Sequence, residues 1–326
     1  MNVLSLCTGA GGFDLGVRAA GHTVVGMCEI DRWCRAVLRR HWPDTPLYGD
    51  IGQLASVRHA ELVIGGTPCQ DLSRAGRGDG LGGASSALFW QFCRVAGSVP
   101  WIAWENVRGA LSANDGEDFA AVLWSLTGFY PTVPKDGWRT SGVCAGRDRT
   151  AVWRVLDAQY FGLAQRRQRL FVVAGPGGEC GPEVLALGEG AGRHPETSAT
   201  TWQDIATPLG RGPGRRDLDG HGAYIAVTEN QRGELCLNPV ANALTTSGNG
   251  KPGQGRAVVL VGDAVRQLTP LECERLQGWP DGWTAYTDSG QRINDGHRYN
   301  MIGNGVAAPV AEWIAGRLPA FWPRKC

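Results

Sequence analysis

Short apolar runs alternate with longer amphipathic stretches through the first 175 positions of the chain. VLSLC, TVVGMCEI, ELVIGG and WIAWENV are rich in β-branched and aromatic residues, and each is too short for a helix, so they predict strands. Between them, FDLGVRAAG, DRWCRAVLRRHW and ALFWQFCRVAGSV carry apolar residues at helical spacing. Parallel strands need a long return connection, and a strand-helix rhythm of this kind predicts a parallel sheet with crossover helices. Two later runs, AVWRVLDA and RLFVVAG, flank QYFGLAQRRQ and predict an antiparallel pair at one edge. From Pro176 to about Gly262 the pattern gives way to Gly, Pro, Arg and Thr with short pieces such as AYIAV and AVVLV, which predicts a second, loop-rich domain. Helical patterning returns at TPLECERLQG and APVAEWIAGRL.

Composition narrows the class. A chain of 326 residues can bury a sizeable core and hold one large α/β domain with a smaller companion. It contains no apolar run long enough to cross a membrane, and it enters a strand at NVLSLC, so a cytoplasmic protein is expected. Its ten cysteines are scattered without a CxxC pair or regular His spacing, which predicts reduced thiols and neither zinc nor any other metal. A net charge of +1 gives no general attraction for a polyanion. The only lysines are Lys135, Lys251 and Lys325, and residues 176–265 hold seven Lys and Arg against ten Asp and Glu. Any nucleic-acid reading must therefore come from particular residues.

The chemistry-bearing residues fall at predicted strand ends. CTGAGGFDLG is a glycine-rich turn opening a helix, the place where a doubly wound sheet brings backbone close to a ligand; alone it is equally a tight connection. CEID ends the next strand with Glu29, placed to accept ribose hydroxyls, and Asp50 in YGDI can reach an adenine amino group, although either acid is also a helix-cap type. ELVIGG delivers Cys69 in GGTPCQDLS, and WENV delivers Glu105. Free cysteine is usually a small packed hydrophobe, but a thiol and a carboxyl group at one rim form a nucleophile and acid pair. No histidine falls in the order a cysteine protease needs. QDLSRAGRGDGLGGASSALF, with Arg74 and Arg77, reads alone as a surface loop, and behind a nucleophile as a lid.

In this order the blocks resemble the DNA (cytosine-5) methyltransferases. CTGAGGFDLG is similar to the family's first motif, GGTPCQDLS to the catalytic one, ENV to the cytosine-binding one and QRRQRLFVV to the paired-arginine one. RQLTPLECERLQGWPDGW resembles the block framing the recognition domain, and YNMIGNGVAAPVAEWI the closing block. Two positions depart from the pattern: Thr67 stands where a large residue often precedes Pro-Cys, and Ser85 where an arginine is common.

The resemblance implies a Rossmann-like, S-adenosylmethionine-dependent catalytic domain over residues 1–175 plus 297–326, and a smaller, mainly β target-recognition domain over 176–296. It implies that Cys69 attacks C6 of cytosine to make C5 nucleophilic, that Glu105 holds N3 and the exocyclic amine, and that Arg169 contacts O2 with Arg167 supporting the loop beside it. The cosubstrate is expected on Phe13, Glu29, Ile30, Asp50, Ile51, Pro68 and Asn304. The target base must leave the stack of double-stranded DNA. Gln70, Ser73, Arg74 and Arg77 are expected on the DNA from the lid, and Arg211, Arg215, Arg216, Lys251 and Arg256 from the recognition region, where they serve equally as solvated loop charges. A monomer is expected, with a separate restriction endonuclease, a phage genome or regulation as its setting. An RNA cytosine-5 methyltransferase and a catalytically idle DNA-binding relative are the alternatives.

Overall fold

The computed structural model describes residues 1–55, 57, 59–67, 86–97, 99–187, 225–229, 235–238, 241–242, 244, 258–261 and 264–318. Within them, β1 (Asn2–Leu6), β2 (Thr23–Cys28), β3 (Leu47–Tyr48), β4 (Leu62–Gly65) and β5 (Trp101–Val107) pair in parallel in the order β3-β2-β1-β4-β5. Three antiparallel strands continue the sheet beyond β5, namely β9 (Gln168–Gly175), β7 (Thr150–Asp157) and β6 (Ser141–Ala145). The expected β7 and β9 pairing is present, but β6 lies outside it and forms the sheet edge. Strand order reverses between β1 and β4, and in open α/β sheets the crevice beyond such a switch point receives ligands.

Alternation along the strands divides the core between two faces, because successive side chains point to opposite sides. Leu4, Leu6, Val63, Ile102, Trp104, Leu170 and Val172 belong to one cluster, with Phe89 and Phe92 of α3 (Ser86–Ala96) and Phe119 and Leu123 of α4 (Glu117–Thr127). Val3, Leu62, Ile64, Trp101, Ala103, Phe171 and Val173 belong to the other, with Phe13 and Val17 of α1 (Gly12–Ala19) and Val310, Ala311 and Ile314 of α7 (Ala308–Ala315). Helices α1 and α7 touch backbone to backbone: a Cβ on Gly16 would stand 2.4 Å from the Ala308 carbonyl oxygen and 2.5 Å from the Glu312 nitrogen.

A third cluster joins Ala10, Leu15 and Val37 to Leu268, Leu276, Trp279, Trp283, Ile293, Met301 and Ile302. These come from the glycine-rich turn, α1, α2 (Arg32–His41), α5 (Pro270–Leu276), α6 (Asp295–Asn304) and the segments beside the last two. The Asp31 carboxylate caps α2 by accepting from the Trp33 and Cys34 N–H groups, and Thr269 and Glu272 close a reciprocal capping box on α5. Residues 268–296 thus share a core with the first helix and the glycine-rich turn. Outside that core, β10 (Ile225–Glu229), β11 (Leu235–Asn238), β13 (Val258–Val261) and β14 (Ala264–Gln267) form an antiparallel sheet in the order β11-β10-β13-β14. β12 (Ala241–Asn242) pairs with β8 (Gln165–Arg166), which precedes β9.

Candidate active site

A cleft of about 710 Å³ opens beyond the ends of β1, β2, β4 and β5. One half is built around Glu29. Its two carboxylate oxygens accept from the Gly9 and Asp31 N–H groups at 2.7 and 2.8 Å, which fixes the side chain and leaves each oxygen a further lone pair. Burial raises this carboxyl above its ordinary range, and the two N–H donors pull it back. Beside it Ile30 is 76% exposed, an apolar side chain held at the rim, while Ile51 is buried in the floor. Asp50 lines the same half, with one oxygen accepting from the Gly52 N–H at 2.8 Å. Gly9 has positive φ, and a Cβ there would project into open space. Fixed acceptors, an exposed apolar rim and an uncrowded backbone turn suit a nucleoside.

The other half is built around Glu105, at the end of β5. Its carboxylate stands 3.3 Å from the Arg169 Nε, and both side chains are largely buried. Register explains the pair: Val107 lies opposite Arg169 and Glu105 opposite Phe171 in the β5 and β9 ladder. Burial pushes the Glu105 carboxyl up, and Arg169, then Arg167, draw it back. A carboxyl kept near its proton beside a guanidinium can donate to one ring atom of a base while the arginine donates to another. Gly66 faces this carboxylate so closely that a Cβ would meet its Oε2 at 2.8 Å.

Neighbouring positions on β5 hold Thr67. The Trp104 indole donates to its hydroxyl at 3.3 Å, the Asn106 amide donates to its carbonyl at 3.1 Å, and Asn106 Oδ1 accepts from the Val107 N–H. The residue that departs from the family pattern therefore has a built environment, and Thr67 precedes Pro68 and Cys69 in sequence. Pro68, Cys69, Gln70, Ser73, Arg74, Arg77 and Ser85 lie outside the described residues, as do Arg211, Arg215, Arg216, Lys251 and Arg256.

Of the described expected site residues, Glu29, Ile30, Asp50, Ile51, Glu105, Arg167, Arg169 and Asn304 line this one cleft. Phe13 is elsewhere: it is 4% exposed, lies in the α1 and α7 core and meets Phe171 edge to face. Arg167 lines the cleft, but its Nη donors go to the carbonyls of Leu244, Gly303 and Gly305. Residue-type reasoning missed Cys7, Cys34, Leu244, Asn300 and Met301, which also line the cleft. The apolar ones carry no chemical signal, and only strand and helix geometry brings them there. Among the described residues no cluster of His, Cys, Asp or Glu could hold a metal.

The model of the C-5 cytosine-specific DNA methylase family matches residues 1–179 and 192–320. The chain belongs to this family. Among its relatives, the type II methyltransferase M2.BsuMI of Bacillus subtilis is 29% identical over 337 aligned residues, covering 98% of this chain and 75% of that protein. A protein of Escherichia phage P1 named DNA N-6-adenine-methyltransferase is 26% identical, covering 96% of this chain and 60% of that one. Among solved structures, the S. pombe Dnmt2 methyltransferase superposes with a TM-score of 0.68 at 17% identity, over 98% of both chains. The fold is thus the Rossmann-like fold of the C-5 methylases. The family implies S-adenosylmethionine as methyl donor, and the Glu29 half of the cleft fits its nucleoside.

Proposed function

We propose that this C-5 methylase transfers a methyl group from S-adenosylmethionine to C5 of a flipped-out cytosine in a specific duplex DNA sequence, through a covalent bond to Cys69. The observation that carries the reading is the buried Glu105 and Arg169 pair sharing one cleft with Glu29, against the Gly66 and Thr67 backbone that leads into Pro68 and Cys69. Cytosine C5 is a weak nucleophile. Attack of the Cys69 thiolate on C6 pushes electrons toward C5, and Glu105 eases the attack by placing a proton on N3. Arg169 supports O2 and keeps Glu105 in place.

The bound S-adenosylmethionine supplies an electrophilic methyl group. Glu29 holds its ribose, Asp50 its adenine amino group, Ile30 and Ile51 its adenine faces, and Asn304 closes the pocket from α6. Loss of the C5 proton and expulsion of the Cys69 thiolate complete the cycle. The outer antiparallel sheet of β10, β11, β13 and β14, with the segments flanking it up to residue 267, serves as the target-recognition region; the segment 268–296 is assigned to the catalytic unit because it packs there. Arg211, Arg215, Arg216, Lys251 and Arg256 belong to the recognition side of this assignment.

Incubation with methyl-labelled S-adenosylmethionine and sheared genomic DNA, or transfer RNA, followed by digestion to nucleosides, tests the reading. Label in 5-methylcytosine from DNA is the expected result. Label only in N6-methyladenine, or only in transfer RNA, would replace it.

A further inference from the structure

Arg167 was expected to support the loop beside Arg169, and its side chain reaches beyond that loop. Its Nη2 donates to the carbonyls of Gly303 at 3.0 Å and Gly305 at 2.7 Å, on either side of Asn304. Its Nη1 donates to the Leu244 carbonyl at 3.5 Å. Its own backbone is pinned on both sides: the Arg167 N–H donates to Asp157 at 3.0 Å, and the Arg167 carbonyl accepts from the Ala158 N–H at 3.1 Å. The residue is 2% exposed, and its Nε has no partner. Burial, then the like charge of Arg169, pulls its pKa down to about 9, against the favourable pull of Glu105.

These partners belong to three parts of the molecule. Gly303 and Gly305 flank Asn304 at the C-terminal end of α6, where Gly303 and Asn304 line the cleft. Leu244 follows β12, the piece of the recognition region whose Ala241 and Asn242 pair with Gln165 and Arg166 of β8, and its side chain packs in one cluster with Met301 and Ile302 of α6. Arg167 itself sits between β8 and β9, two residues before Arg169. A buried guanidinium satisfied by neutral carbonyls is costly to disturb. A displacement of Leu244 or of the Asn304 end of α6 would therefore act on one set of bonds.

We propose that Arg167 is a positioning residue that makes cosubstrate binding and DNA binding reinforce one another. The inference rests on the function proposed above. A passive strut would affect folding alone; a joint with two moving partners produces a coupling that is reciprocal between the two ligands.

The test measures the dissociation constant of S-adenosylhomocysteine by calorimetry, without DNA and with saturating sheared genomic DNA, for the wild type, Arg167→Met and Arg167→Lys. DNA should tighten binding to the wild type by about fivefold or more. Arg167→Met should bring that ratio close to one. Arg167→Lys, whose single ammonium cannot span the carbonyls as a planar fork does, should fall between, and it carries the test if Arg167→Met does not fold. Asn304→Ala, which removes a contact and leaves the joint, should weaken binding in both conditions and keep the ratio. A folded Arg167 variant with the wild-type ratio, or a wild-type ratio of one, overturns the inference alone. A wild type that binds no S-adenosylhomocysteine in either condition overturns the function proposal, and the inference with it.

Discussion

In the proposed function Glu105 and Arg169 act on the target base, and their electrostatics give a signed prediction. Glu105 would act in its protonated form, which burial favours and Arg169 opposes. Glu105→Gln should keep the shape and lower kcat by roughly 100- to 10,000-fold, as loss of a general acid does. Arg169→Ala removes the strongest influence holding the carboxyl down, so Glu105 should keep its proton to higher pH. The alkaline limb of the kcat profile should then move upward even as kcat falls, and a limb that moves downward would contradict the assignment. Asp14 offers a second titration, away from the chemistry. It is buried at the start of α1, with one oxygen on the Ser5 hydroxyl at 3.1 Å and the other without a partner, and burial lifts its pKa from 3.8 to about 7. The folded state thus holds this proton more tightly than the unfolded chain. Stability should fall as pH rises from about 4 to 7, and Asp14→Asn should flatten that slope in thermal melts across this range.

Glu29 and Glu105 were legible from the sequence because each is a polar residue closing an apolar run, and the fold brings such ends to one rim, where Asp50 joins them from just beyond the two-residue β3. Phe13 and Arg167 show where that reasoning stops. An aromatic residue in a glycine-rich turn and an arginine in a paired motif suggest ligand contacts equally well, and only packing shows that one fills a core and the other grips carbonyls.

At the level of elements, the predicted strands and helices of the first half are present because their apolar periods are clean. β6 was missed: Ser141–Ala145 is short, glycine-containing and mostly exposed, an edge strand with little to bury. The approach of α1 to α7 was equally silent in the pattern, since Gly16 looks like a helix-weakening residue. In the structure any side chain there would strike the α7 backbone. Gly16→Ala should therefore lose about 1–3 kcal/mol by overpacking, measured by urea unfolding, despite the better helix propensity of alanine. A second device ties α5 to α6. The buried Glu274 carboxylate accepts from the Arg298 guanidinium at 3.1 Å, from the Thr284 N–H at 2.8 Å and from the Gly282 N–H at 2.8 Å. Trp283 extends this unit to the glycine-rich turn by donating to the Ala10 carbonyl at 2.8 Å. The block read as framing the recognition domain is thereby also a brace for the glycine-rich turn.

Across the whole molecule, a sheet with its strand order reversing between β1 and β4 sets the nucleoside acceptors and the Glu105 and Arg169 pair in one cleft, so that donor and target base would meet between them. The segment that the resemblance assigns to the recognition domain runs to residue 296, and its Leu268, Leu276, Trp279, Trp283 and Ile293 belong to the third core cluster. Sequence composition does not reveal that Trp279 and Trp283 bury their rings against the first helix and turn. The central claim concerns Cys69, whose role is read from the family motif and from the clamped Thr67 before it. DNA amplified with 5-fluorodeoxycytidine triphosphate in place of the cytosine nucleotide cannot release a proton from C5, so an attacking thiolate stays bonded after methyl transfer. Incubation with this DNA and S-adenosylmethionine, nuclease trimming and peptide mass spectrometry should find the methylated fluoronucleotide on Cys69. A protein that methylates ordinary DNA at cytosine C5 while its Cys69 peptide stays unmodified in that experiment would contradict the mechanism.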